Sequence, residues 1–258
     1  FMLGFYGINA VVDFAFLNTP ADAAGIATIH TVFNVVATLL LLPFSKLLEK
    51  LACLTVKEAK DPKKEKFEQE LQLLDERFLE TPALAVEHCK MVANHMAEIV
   101  KEALDCSLEL LKEYDEKTAK RVFELESEAD RFEDHLGQYL VRLSSKDLSV
   151  SDSATLSMLL HSIGDMERIS DHAVNITEAA EEMHQKKMTF STEAEKEIAT
   201  FSDAVREILR LSIESFIKED GKKAVLVEPL EEVVDDLRDE LKNRHVNRLR
   251  EGKCTIEL

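Results

Sequence analysis

Apolar positions recur at alternating intervals of three and four along most of the chain. The clearest seam is Val122, Leu125, Ala129, Phe132, Leu136, Tyr139 and Leu143, a spacing that gathers the apolar side chains on one face of a helix. A second seam, Leu156, Leu159, Ile163, Met166, Ser170, Ala173, Thr177 and Ala180, repeats it with small polar members in the middle. The pattern predicts helices near 82–113, 116–144, 150–187, 192–219 and 223–250. Thr81-Pro82 reads as an N-cap followed by a first helical residue. Tyr114-Asp115, Ser144-Ser145 and Asp220-Gly221 are the turn signals between helices. A Lys/Glu-rich connector, about 56–75, precedes them. With only 7 Gly and 5 Pro in 258 residues, the predicted class is all-α with short connections.

The helical region contains an internal repeat. Shifting the chain by 105 residues superimposes Val100 on Val205, Leu104 on Leu209, Ser107 on Ser212, Asp115 on Asp220, Leu125 on Leu230, Glu126 on Glu231, Asp130 on Asp235 and Leu136 on Leu241. Identities at one offset, without gaps, indicate a duplicated unit. The unit is a three-helix array, and the third helix of its second copy is expected beyond Leu258, so the second bundle is truncated here. The chain also opens on Phe1 rather than Met and is expected to be a piece of a longer protein.

Between Asp22 and Lys46 lie 23 residues without Asp, Glu, Lys or Arg, enough for one helix to cross a bilayer. Lys46, Lys50, Lys57, Lys60, Lys63, Lys64 and Lys66 follow, whereas residues 1–22 have no Lys or Arg. The positive-inside rule then puts everything after Lys46 in the cytoplasm. A signal peptide is disfavoured because no basic leader precedes the apolar stretch. His30 and Asn34 fall one turn apart on one face of the span, where interhelical hydrogen bonding is preferred to a substrate role. The stretch ATIHTVFNVVATLLLLPF resembles the last membrane helix of the bacterial sodium/phosphate cotransporter family. That resemblance implies inorganic phosphate as substrate, sodium as coupling ion, and a lipid membrane, the bacterial inner membrane, as the setting. The family's transport motifs are absent, so no transport residue is assigned.

Formal net charge is −18. Residues 1–55 hold only Asp13, Asp22 and Glu49 against Lys46 and Lys50, so nearly all the excess sits on the helical region. A nucleic-acid partner is excluded, because phosphate backbones call for clustered cations. Cys53, Cys89, Cys106 and Cys254 form no CxxC pair and read as reduced thiols without a zinc site.

Three ExxxD pairs carry the candidate chemistry: Glu126 with Asp130, Glu167 with Asp171, and Glu231 with Asp235. Each falls on the same flank of its apolar seam. Like charges stacked one turn apart cost roughly a few tenths of a kcal/mol in an isolated helix. Two such flanks on adjacent helices bring four carboxylates together, and all-oxygen ligation suits a hard metal ion such as Mg²⁺, Mn²⁺ or Fe. The competing reading is an ordinary charged surface neutralised by Arg131, Arg168 and solvent. The strings ELESEADRFED and SIGDMERISDHAVNITE resemble the paired motifs of PhoU proteins, over residues 82–258. That resemblance implies two three-helix bundles that hold metal on ExxxD carboxylates. By position it makes Glu126, Asp130, Glu167 and Asp171 candidate ligands, with Asp165 and Asn175 as neighbours and Glu231 and Asp235 as the second copy's half-site. His172 belongs to the string but reads as a core or turn-facing imidazole rather than a ligand.

The resulting organisation is the end of a membrane domain over 1–53, a charged connector over 54–81, a PhoU-like bundle over 82–190 and a second, incomplete one over 191–258. The expected function is sodium-dependent phosphate transport with a cytoplasmic, metal-binding regulatory module. The alternative is a membrane-anchored phosphate-signalling regulator without transport, and a homodimer is the candidate assembly. Catalysis is not expected: the single Glu-x-x-His, Glu181 to His184, is out of register with the repeat, and di-iron bundles need two.

Overall fold

The computed structural model describes residues 62–254, together with His30, Thr31, Asn34, Val35 and Thr38. The chain divides into two units, residues 1–60 and 61–258. In the first, the five described residues are helical, and Asn34 Nδ2 lies 3.1 Å from His30 Nδ1. The rest of the predicted span lies outside the described residues, and among those described no helix is long and apolar enough to cross a membrane.

In the second unit the described residues form helices and turns only. They are α1 (Pro62–Leu71), α2 (Pro82–Leu110), α3 (Glu116–Leu143), α4 (Val150–Lys186), α5 (Thr192–Lys218), α6 (Gly221–Ala224) and α7 (Val227–Arg250). Their starts follow from capping chemistry. Asp115, Ser149 and Ser191 accept backbone N–H bonds from Thr118, Asp152 and Ala194 at 2.8, 3.1 and 3.2 Å, satisfying donors that a helix start leaves open. Asp220, the repeat partner of Asp115, caps α6 in the same way. The predicted helix over 223–250 is interrupted at Val225-Leu226. Pro229 has no N–H to give the Val225 carbonyl, so it is tolerated only in the first turn of α7.

Helices α2, α3 and α4 pack against one another as a three-helix bundle. All seven residues of the first predicted seam are buried in α3, joined by Ala119 and Leu140, and the buried residues of α4 are the eight of the second seam. Helix α5 packs on α2, and α7 packs chiefly on α5. Ala97 and Ser202, Leu104 and Leu209, and Leu108 and Ile213, pairs related by the same offset of 105, are buried in α2 and α5.

From Pro62 onward the segment read as a charged connector is structured, and its residues 54–61 lie outside the described residues. After α1 the chain makes two 3₁₀ turns, Gln72–Leu74 and Glu76–Glu80, and lies as a strap along the bundle. Phe67 is only 4% exposed, with its ring 4.5 Å from that of Phe132. Further along, His88 Nδ1 sits 3.0 Å from the Leu73 carbonyl, and the Tyr139 hydroxyl donates to the Asp75 carbonyl at 3.1 Å. Arg142 pairs with Glu76, and Lys146 with Glu80 at 3.1 Å. The strap therefore runs parallel to α3 and antiparallel to α2. A few well-spaced apolar residues, Phe67 and Leu79 among them, dock it.

Candidate functional site

The central turns of α3 and α4 carry the site. Their apolar faces are committed to the core, and Ser170 and Thr177 return their hydroxyls to the carbonyls of Glu167 and Ala173, at 2.7 and 2.9 Å. The flanks left over hold Glu126, Asp130 and Glu133 on α3 and Glu167 and Asp171 on α4. Glu126, Glu133 and Glu167 are half-buried; Asp130 and Asp171 are exposed.

The carboxylates of the two flanks act on one another electrostatically. Burial first, then the carboxylates of Asp130 and Asp171, pushes the Glu126 carboxyl above its ordinary value. Glu167 is raised by burial, by the charge of Asp171 and a hydrogen bond that its protonated form donates to Asp171, and by Glu133 and Asp130 on the other helix. Glu133 is raised by burial, Asp134 and Asp130. Each shift has the sign of a carboxyl held among like charges with part of its hydration removed.

The two arginines that could have neutralised the cluster are engaged elsewhere. Arg131 lies 4.0 Å over the ring of Phe67 and 3.5 Å from Glu68, so it clamps the strap. Arg168 lies 4.0 Å from Asp165, with both side chains about three-quarters exposed. Among the described residues no Lys, Arg or His lies within ion-pair distance of Glu126, Asp130, Glu167 or Asp171. Among those residues, too, no three His, Cys, Asp or Glu side chains are gathered closely enough to hold a metal ion. The donor set is all-oxygen and, when ionised, acceptor-only, the ligand type a hard cation takes, though its members stand apart from one another.

The remaining predicted residues are dispersed. Asp165, His172 and Asn175 are exposed on α4. Glu231 and Asp235 lie on α7, where Arg238 binds Asp235 at 2.6 Å and Asp239 at 3.1 Å. The ring of His184 stacks on Tyr114 at 4.7 Å, and Glu181 accepts a bond from Gln185 at 3.0 Å, so neither belongs to the carboxylate face. Burial pushes the Cys89 thiol up to about 12, which leaves it a packing group. Glu133 was not among the predicted ligands. Its signal was present, since it follows Asp130 by three positions and so stays on the same flank as Glu126 and Asp130.

No solved structure matches the chain. Among curated proteins it is similar to the phosphate-specific transport system accessory protein PhoU homolog 1 of Thermotoga maritima, 23% identical over 170 residues, which is 66% of this chain and 72% of that protein. It is also similar to the phosphate-specific transport system accessory protein PhoU homolog of Clostridium acetobutylicum, 24% identical over 163 residues, 62% of this chain and 72% of that protein. The PhoU domain matches residues 93–180 and again residues 198–257. The two matches begin at positions related by the same offset as the repeat and together cover more than half of the sequence, so the chain belongs to the PhoU domain family.

Proposed function

We propose that this chain is the regulatory part of a phosphate-transport system and that Glu126, Asp130, Glu167 and Asp171, joined by Glu133, take up a hard cation of the Mg²⁺, Mn²⁺ or iron class. The observation that carries the reading is that carboxylates of α3 and α4 raise one another, with no cationic side chain among the described residues to neutralise them. A bound cation would supply that charge and favour the ionised carboxylates. The chain's own contribution is to present oxygens from two helices whose seams are locked in one core, so that ligation ties α3 to α4. Because Arg131 stands next to Asp130 and clamps Phe67 and Glu68, the site adjoins the strap that leads back towards residue 62. The expected result is a rise in melting temperature with Mn²⁺ by ligand linkage, abolished in Asp130→Asn/Asp171→Asn. An equal rise in the double variant would reduce the effect to charge screening.

The uncharged stretch before Lys46 and the lysines after it support a second part of the reading. The module is attached to the cytoplasmic face of the inner membrane, as part of a sodium/phosphate cotransporter. In cells, the chain with residues 1–60 is expected to stay with membranes after alkaline carbonate washing, and a version beginning at Asp61 is expected to be released. Release of both would remove the membrane part of the proposal and leave the cation site standing.

A further inference from the structure

Residues from the end of α2, the end of α4, the start of α5 and the chain between those last two helices line one cavity of about 500 Å³, a volume typical of small-molecule sites. Leu111, Met183, Met188, Phe190 and Ile198 of its lining are each only half-buried, so the core does not take these apolar side chains fully out of water. Ser202, 3% exposed, is the buried polar residue of the lining. Other helical hydroxyls return to their own backbone: Ser107 to the Leu104 carbonyl at 2.9 Å, Thr177 to that of Ala173 at 2.9 Å and Ser212 to that of Ile208 at 2.8 Å. Ser202 has no hydrogen-bond partner among the described residues. It stands where the first copy has Ala97, at the offset of 105. A hydroxyl so placed costs stability until a partner meets it. Tyr114 and His184, also in the lining, stack with ring centroids 4.7 Å apart and 25° between planes, which offers a flat surface to another ring.

We propose that this cavity binds an uncharged, ring-bearing small molecule whose polar group hydrogen-bonds to Ser202 while its apolar body covers Met183, Met188, Phe190 and Ile198. Charge decides against an ionic ligand. Lys112 and Glu195 of the lining are both exposed, and Lys112 already pairs with Glu109 at 3.2 Å. The buried part of the lining offers a hydroxyl, so a charge carried there would be desolvated and unpaired. An anion would also approach Glu181, Glu116 and Asp115, whose charges act on Tyr114. The two methionines are unbranched and polarizable, which lets the lining adapt to the body of the ligand. Binding would tie α4 of the first copy to α5 of the second. The cavity shares no residue with the carboxylate flanks, so the inference stands apart from the cation reading.

The test uses N-phenyl-1-naphthylamine, a neutral aromatic amine with one N–H, and reads peptide-resolved hydrogen exchange in the full chain. The amine is expected to slow exchange over 108–114 and 183–202 and to leave 121–143 unchanged. Ser202→Ala should need about three- to tenfold more amine for the same protection, as for loss of one neutral hydrogen bond. Its melting temperature without amine should stay equal or rise, because no internal bond is lost. Ala199→Phe, which fills the cavity from α5, should abolish the protection, and Ser202→Ala keeps the test decisive if that variant misfolds. Anilinonaphthalene sulfonate, the same skeleton with a fixed negative charge, should protect more weakly. Absence of protection over 183–202 or equal affinity in Ser202→Ala overturns the proposal. A lower melting temperature in Ser202→Ala also overturns it, by showing that the hydroxyl is already bonded within the fold. Tighter binding of the sulfonate overturns the uncharged class.

Discussion

Leu125 and Leu230 occupy the same position in the two copies, yet Leu125 is fully buried in α3 and Leu230 is only half-buried on α7. Phe132 and Leu237, again the same position, differ in the same way. Helices α2, α3 and α4 bury 14, 9 and 8 residues, whereas α5 buries 3 and α7 none. The apolar spacing is shared, so it does not by itself decide burial. What differs is the number of neighbours: α3 is enclosed by α2, α4 and the strap, while α7 packs chiefly on α5. Periodicity specifies which face a helix offers, and the partners present specify how much of that face leaves water.

The contrast is sharpest for large-to-small substitutions. Phe132→Ala removes a fully buried ring that meets Phe67 at 4.5 Å and His95 at 5.6 Å and is expected to cost about 3–5 kcal/mol. Leu237→Ala, at the matching position, is expected to cost less than about 1 kcal/mol, since most of its area is not removed from water. Urea unfolding of both variants measures the difference. Equal losses would mean that α7 is as enclosed as α3 and would break the comparison.

Phe67→Ala probes the strap, an element confined to the first copy. Truncating a buried aromatic ring costs about 3–5 kcal/mol when the whole fold absorbs it. A strap on the outside of the bundle can instead detach, which caps the loss, and about 2 kcal/mol is expected with the three-helix bundle retained. Proteolysis near 72–80 with an unchanged helical signal is the checking observation.

Charge removal should act with opposite signs in the two copies. Metal-free Glu167 is raised by burial and by Asp171, so its folded state favours the protonated form. Stability from a raised carboxyl is fully present below its ordinary range and is lost as pH climbs through the raised value. Metal-free protein should therefore become more stable as pH falls from neutral towards the ordinary glutamate range. Glu167→Gln should flatten that dependence and raise neutral stability by about 0.5 kcal/mol. In the second copy Asp235→Asn removes an oxygen bound by Arg238 and is expected to lower the melting temperature slightly. A common sign would erase the distinction between an uncompensated face and a compensated one.

Much of this was legible before any coordinates. The seams of α3 and α4 are runs of three- and four-residue spacing long enough to define a face, and the buried residues follow them position by position. The repeat was legible for the same reason, and Asp115 and Asp220 cap their helices alike. The placing of Glu126 and Asp130 on one flank of α3, and of Glu167 and Asp171 on one flank of α4, followed from those seams. The strap was not legible, because Phe67, Leu71, Leu74 and Leu79 are spread through charged residues and break period at each 3₁₀ turn.

The smallest effect separates two helix ends. Lys187 and Glu219 close α4 and α5 in the left-handed region, at φ 54° and 50°. Lys187 N–H bonds to the His184 carbonyl at 3.1 Å and Met188 N–H to the Met183 carbonyl at 2.9 Å, the turn that usually ends on glycine. A side chain in that conformation costs about 1–2 kcal/mol. Glycine relieves the strain but gives back about 0.4–1 kcal/mol through the greater freedom of the unfolded chain. Lys187→Gly should therefore gain about 0.5 kcal/mol net. Glu219 has the same strain and also pairs with Lys90 on α2, so Glu219→Gly loses a tie between the two copies and should come out near zero. Thermal unfolding of the two variants side by side decides it. A gain at Glu219 equal to that at Lys187 would show that the Lys90 pair contributes nothing to holding α5 against α2.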